Sequence, residues 1–178
     1  PDALAEVVLA LNKKPELDFI YSDQDKVDEK TTMRFGRLYK PFWSMELLYS
    51  GNYITHFSVI RRSIIEEIGG WDSSTDGAQD WDLFLNVAEK TKNVYGISKV
   101  LYHWRTAPTS TAASMDNKNY AAGAQIRALQ THFDRMGYNA DIYFSRPKDL
   151  EVRVKWREDT DNISVVLWDT GYNQYLND

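Results

Sequence analysis

The stretch "LDFIYSDQDKVD", residues 17–28, joins an apolar run to a set of carboxylates, and its reading decides the fold. Leu17 to Ser22 is apolar almost throughout, the mark of a central strand covered on both faces. Asp23, Asp25 and Asp28 then follow closely. Carboxylates this near one another repel and are costly to desolvate, so water or a cation has to cover them. In an open α/β sheet, ligands gather just beyond the carboxyl ends of the strands. A D-x-D there sends two carboxylates toward one space, where a hard divalent cation can join them to phosphate oxygens. The plain alternative is a solvated acidic loop. An EF-hand is excluded, since Val27 stands at the fifth ligand position and Asp28 where the turn glycine belongs.

The 178 residues, 43% hydrophobic and 13% aromatic, suffice for one packed domain or for part of a larger one. A formal charge of −5 argues against nucleic acid as a partner, which needs a basic surface. No apolar run reaches the length of a membrane span, and no signal-peptide pattern opens the sequence. Cysteine is absent, which suits a reducing cytoplasm and leaves no disulfide or thiolate metal site. The sequence opens at Pro1, on the doorstep of a helix, and reads as cut from something longer.

Working outward, Leu4, Val7, Val8 and Leu11 give residues 2–12 helical spacing. Residues 26–42, with charges, Gly36 and Pro41, read as a loop. A short helix is predicted over 43–49 and a short strand over 57–61. Ser63 with Glu66 forms a capping-box pattern for a helix closed by Gly69-Gly70. Residues 79–91 are predicted helical, with Trp81, Phe84, Leu85 and Ala88 on one apolar stripe. Strand material is expected in 94–105, a long helix over 115–136, and strands over 141–144, 151–156 and 163–168. Arg146, Pro147 and the charges of 157–161 separate the last of these like a linker.

Two further motifs carry chemistry. In "GAQDWDLFL", 77–85, Asp80 and Asp82 sit at a helix start, where the dipole favours anions and plain capping is the ordinary role. The functional reading makes Asp80 a general base at the rim of a pocket. Trp81 belongs to the apolar stripe and also stands with Asn52 and His56 among the acceptor-binding candidates. In "YHWR", 102–105, strand alternation puts His103 and Arg105 on one face. An imidazole beside a guanidinium calls for an anion or a metal-bound anion between them. His132, late in its helix, has a cation's favoured place near the dipole and no further role.

Taken in order, "DFIYSDQDK", "NYITHFSVIRRSIIEEIGGWD", "GAQDWDLFLNVAEKT" and "KVLYHWR" with "STA" after it resemble glycosyltransferase family 2. These are inverting enzymes of GT-A fold, and the likeness is to bacterial sugar transferases of the O-antigen and rhamnan type. It covers about residues 1–136. The resemblance implies a partial GT-A fold, Rossmann-like, with a mixed sheet flanked by helices. It implies a nucleotide-diphosphate sugar donor, a glycan acceptor and Mg2+ or Mn2+. Asp23 would touch the donor or the metal, Asp25 and His103 would complete the metal site, and Arg105 would hold the departing phosphate. Asp80 would take the proton from the acceptor hydroxyl. Gln79 stands where the family usually has a glutamate, removing one repelling carboxylate beside the base.

On the same resemblance, residues 1–145 correspond to the C-terminal half of a transferase domain. Residues 146–178 would be a linker and the first strand of a following one. The half that reads the nucleotide is not present in this sequence, so the isolated fragment is expected to be inactive. Its tail strand is expected to fill an open sheet edge, within one molecule or by exchange in a dimer. The location expected is the cytoplasm, at the inner face of the membrane where a larger parent or its partners hold it there. The rival readings are a non-catalytic carbohydrate- or nucleotide-binding module on the same scaffold, and a structural domain with solvated acidic loops.

Overall fold

The computed structural model describes residues 2–28, 30–106, 115–145 and 152–157. The apolar run becomes β1, Phe19–Asp28, and the strand continues through all three aspartates. β4, Val94–Thr106, lies parallel along its whole length, with Phe19 opposite Val94 and Asp28 opposite Thr106. The other edge of β1 is shared by two short antiparallel strands. β3, Ser58–Ile60, pairs with Phe19 to Tyr21, and β2, Arg34–Leu38, pairs from Gln24 onward. The result is a mixed α/β sheet flanked by helices, as expected, and compatible with part of a Rossmann-like domain.

Both faces of β1 are covered, for different reasons. Phe19 and Tyr21 face a core built from α2 (Met45–Ser50), α4 (Gln79–Lys90) and α5 (Met115–Met136). Ile20 points the other way, toward Val7 of α1 (Ala3–Lys13) and Ile97 of β4. In α4 the predicted stripe is buried, with Trp81, Phe84, Leu85 and Ala88 all at most 4% exposed. Burying a large apolar side chain of this kind stabilises by about 1.5–3 kcal/mol. A separate hairpin of β5, Ala140–Phe144, and β6, Val152–Trp156, packs on the same core. Trp156 stacks on Phe133 at 5.3 Å and Val152 is buried, so β6 packs with the unit that precedes it.

Three expectations change. Much of the stretch expected as a loop is strand, since the end of β1 pairs with β2, and every residue of β2 is exposed, so no alternation betrays it. Ser63 is not a cap: α3, Arg62–Glu67, starts one residue earlier, with Arg61 at its N-cap and no side-chain cap bond. The start is set instead by the two residues that lead into β1. The Arg61 amide donates to the Asp18 carbonyl, and its guanidinium reaches the Asp18 carboxylate at 2.5 Å and the Leu17 carbonyl at 2.8 Å. His132 is no exposed helix-end cation. It is buried, with Nδ1 2.7 Å from the Glu89 carboxylate. The strand expected over 163–168 and the "STA" segment lie outside the described residues. Among the described residues no helix is long and apolar enough to cross a membrane.

Gly96 faces Tyr21 across the β1–β4 pair, and the ring lies over it. A Cβ on Gly96 would meet Tyr21 Cε2 and Cζ at 2.9 Å. The ring has nowhere to go, since it is buried and its hydroxyl donates to the Pro41 carbonyl at 2.7 Å. Gly96→Ala is therefore expected to lower stability by about 1–3 kcal/mol, read as a shifted midpoint in urea unfolding.

The histidines set the acid limit. Burial lowers the pKa of His132, opposed by Glu89, and burial likewise lowers that of His56. The unfolded chain takes up these protons near the ordinary value of about 6.5. Stability from the neutral rings is thus complete above that pH and is lost as pH falls through their depressed folded values. Unfolding free energy should decline as pH falls below about 6.5, and the slope should flatten in His132→Asn. A pH series of denaturant titrations checks this; an unchanged slope contradicts it.

Candidate functional site

Asp23 and Asp25 lie inside β1, not beyond its end, and both are buried, at 4% and 1% exposed. Charges so placed need partners from the neighbouring strands. Asp25 finds His103, its register partner on β4, with Oδ1 2.5 Å from Nδ1. The imidazole is about one-third exposed, so the pair has one face on solvent. Asp23 finds a backbone group: its Oδ1 accepts from the Lys40 amide at 2.8 Å. The register between β1 and β4 shifts on both sides of Asp23. Among the described residues no three acidic or histidine side chains gather closely enough to hold a metal, so Asp23 does not complete a trio with Asp25 and His103. Asp28 closes a turn. It accepts from the Thr31 and Lys30 amides and the Thr31 hydroxyl, and the Thr31 bonds lead in holding its carboxyl below the usual range.

Arg105 lies two residues past His103, opposite Val27, and is exposed. Two β-strand steps put it on the face of His103, as alternation predicts.

The opposite wall is the loop from Gly51 to Phe57, and the sheet clasps it. The Lys40 ammonium donates to the carbonyls of Ile54 and His56. Burial pulls its pKa down to about 8, against the attraction of Asp23. Thr55 sits at φ 38°, a left-handed conformation that a β-branched residue seldom adopts. Two bonds hold it there: its amide donates to Asn52 Oδ1 at 3.1 Å and its hydroxyl to Gln24 Oε1 at 2.9 Å. The next residue, His56, stacks on Tyr102 of β4, with ring centroids 4.8 Å apart. Its Nδ1 is buried and has no partner among the described residues.

Asp80 is the second residue of α4, half-buried, with Oδ1 accepting from the Trp81 amide at 2.9 Å. Two clefts open on it. One, of about 500 Å³, also touches His56, Trp71 and Leu83. The other, of about 320 Å³, is bordered by Asn52, Thr55 and an edge of Trp81. The body of Trp81 is core: it is 2% exposed and its Nε1 donates to the Leu48 carbonyl at 2.9 Å. Gln79 clips the turn before the helix, its Oε1 accepting from the Gly77 amide at 2.8 Å.

The structure thus brings the predicted residues into two groups. Asp25, His103 and Arg105 share one face of the β1–β4 pair, while Asn52, His56 and Asp80 meet around the clefts. Asp23, Gln24 and Lys40 run between them. Sequence reasoning missed Lys40, Thr55 and Gln24, whose roles rest on backbone groups and on contacts distant in the chain.

No protein-family model matches the chain. It is 36% identical over 170 residues to the uncharacterized protein y4gI of Sinorhizobium fredii, covering 94% of this chain and 19% of that relative. It is also 36% identical over 167 residues to the O-antigen biosynthesis protein RfbC of Myxococcus xanthus, covering 94% of this chain and 13% of that relative. The chain therefore spans less than a fifth of the length of the curated relatives it matches.

Removing His103 alone strands a buried carboxylate. His103→Ala is expected to cost about 1–3 kcal/mol, and adding Asp25→Asn should recover most of it. Equilibrium unfolding of the two single variants and the double variant checks the coupling; additive losses contradict it.

Proposed function

We propose that this segment serves polysaccharide biosynthesis as part of an inverting glycosyltransferase. The observation that carries the reading is Asp80, a half-buried carboxylate at the meeting of two clefts, with His56 on the wall of the larger. Likeness to a relative named for O-antigen biosynthesis supports the same process.

In this reading the free carboxylate oxygen of Asp80 accepts the proton of an acceptor hydroxyl. The freed oxygen attacks the anomeric carbon of the donor sugar. The bond from that carbon to the diphosphate breaks, and the electron pair leaves with the diphosphate. Attack from the face opposite the leaving group inverts the centre. Asn52 and His56 orient the acceptor beside Asp80.

Asp25 and His103 would hold a divalent cation. Asp25 would offer a carboxylate oxygen and His103, about one-third exposed, an imidazole nitrogen, donors of the kind that Mn2+ or Mg2+ can accept. When bound, the cation offsets charge on the departing diphosphate. Arg105 adds a forked donor for phosphate on the same face, and Asp23 adds a contact to the donor.

The test uses the complete product of the gene that encodes this segment, with Mn2+, a panel of nucleotide sugars and a lipid-free glycan acceptor. Asp80→Asn is expected to reduce transfer about 10²- to 10⁴-fold with nucleotide affinity unchanged. Full transfer by Asp80→Asn overturns the role of Asp80. Nucleotide and glycan binding with no transfer by the unaltered protein favours a binding module instead.

A further inference from the structure

Residues 30–42 are at odds with the rest of the chain in charge. They hold Lys30, Arg34, Arg37 and Lys40 and no acidic residue, in a protein whose formal charge is −5. Lys40 is turned inward, onto the carbonyls of Ile54 and His56. The other three are exposed, and no ion pair joins them to another described residue. Asp28, just before the stretch, has its carboxylate turned to the Lys30 and Thr31 amides.

The same stretch carries large apolar side chains that find no core. Met33 is 68% exposed, Phe35 47%, Leu38 44%, Tyr39 65% and Phe42 85%. Apolar residues scattered singly over a surface are ordinary, but a run of them within ten residues marks a surface that meets something. Nor is the first part of the stretch a loose loop. β2 pairs with the outer end of β1, and the Asp28 amide donates to the Met33 carbonyl at 2.9 Å. The hairpin thus holds apolar and cationic side chains next to one another on a strand exposed at every residue.

The mixture decides between occupants. A protein interface buries apolar area at its centre and keeps lysine out of it, and desolvating cations that have no counter-charge is costly. A second copy of this chain, meeting the same patch about a two-fold axis, would set these cations against their own kind. An anionic lipid surface takes both at once. Its phosphates receive the basic groups, while aromatic and aliphatic side chains enter the boundary with the acyl chains, a layer that aromatic rings favour.

We infer that residues 30–42 dock this protein on an anionic membrane surface, with Phe35 and Phe42 entering the boundary and Lys30, Arg34 and Arg37 among the headgroups. The inference goes beyond the transfer reading and does not depend on it, since its test involves no turnover.

The 178-residue protein is sedimented with vesicles of phosphatidylcholine alone and of phosphatidylcholine mixed with phosphatidylglycerol. Binding to the mixed vesicles is expected, far weaker binding to the neutral ones, and a fall in binding as salt is raised. The double variant Phe35→Ser with Phe42→Ser is expected to bind about tenfold more weakly. Arg34→Gln with Arg37→Gln is expected to remove the preference for the anionic lipid. All four side chains are exposed, so the urea midpoint of both variants should stay in place and separate lost docking from lost folding. No binding to mixed vesicles, equal binding to both kinds, or full binding by the double phenylalanine variant overturns the inference. So does a lipid-free dimer of the unaltered protein that the same variant abolishes, because the patch is then a contact between copies.

Discussion

The parallel pairing of β1 with β4 is the constraint on which everything else in this protein rests. It runs the length of β1 and does not stop where the apolar residues end. Phe19, Ile20 and Tyr21 stabilise the first half by burial, and the same ladder then carries Asp23, Gln24 and Asp25 into the interior. Polar groups delivered by a ladder cannot retreat to water without breaking it, so each must be answered from a neighbour. His103 answers Asp25, Thr55 answers Gln24, and the Lys40 amide answers Asp23. The apolar half is where the stability lies. The polar half fixes position.

That fixing extends to the loop beside the clefts. Lys40 is tied at both ends, its amide to Asp23 and its ammonium to two carbonyls of the loop. With Gln24 holding Thr55 in a conformation a β-branched residue resists, the loop is set by the strand it faces. His56 and Asn52 accordingly keep their places relative to β1, although neither belongs to the sheet. Burial makes this ammonium less basic, and the charge of Asp23 acts against that.

Much of this was legible in the chain because the informative residues follow a period. The largely apolar run of 17–22 marked a strand with two covered faces, and α1 and α4 showed helical spacing. The meeting of Asp25 and His103 was implied by the family resemblance, and the pairing of β1 with β4 brings it about. What stayed hidden has no period. β2 is exposed throughout and charged like a loop, so only its pairing with β1 makes it a strand. The beginning of α3 is dictated by Arg61 bonding to Asp18 and Leu17, residues far back in the sequence, and the local Ser63-Glu66 pattern loses to it. The burial of His132 beside Glu89 pairs α5 with α4, which helix position alone does not reveal.

The separation of the two side-chain groups has an electrostatic consequence. A carboxylate meant to accept a proton works best when nothing nearby claims its charge, and no ion pair joins Asp80 to any described residue. It acts on His56, whose pKa is lowered by burial even though Asp80 pulls the other way. A neutral ring beside the base leaves its free oxygen open to a hydroxyl. On the other side of the clasp, Asp25 is tied to His103, and the guanidinium of Arg105 stands on that same exposed face. In the reading proposed here, the cationic, partly solvated face serves the phosphate and the clefts on Asp80 serve the hydroxyl, with Asp23, Gln24 and Lys40 between them.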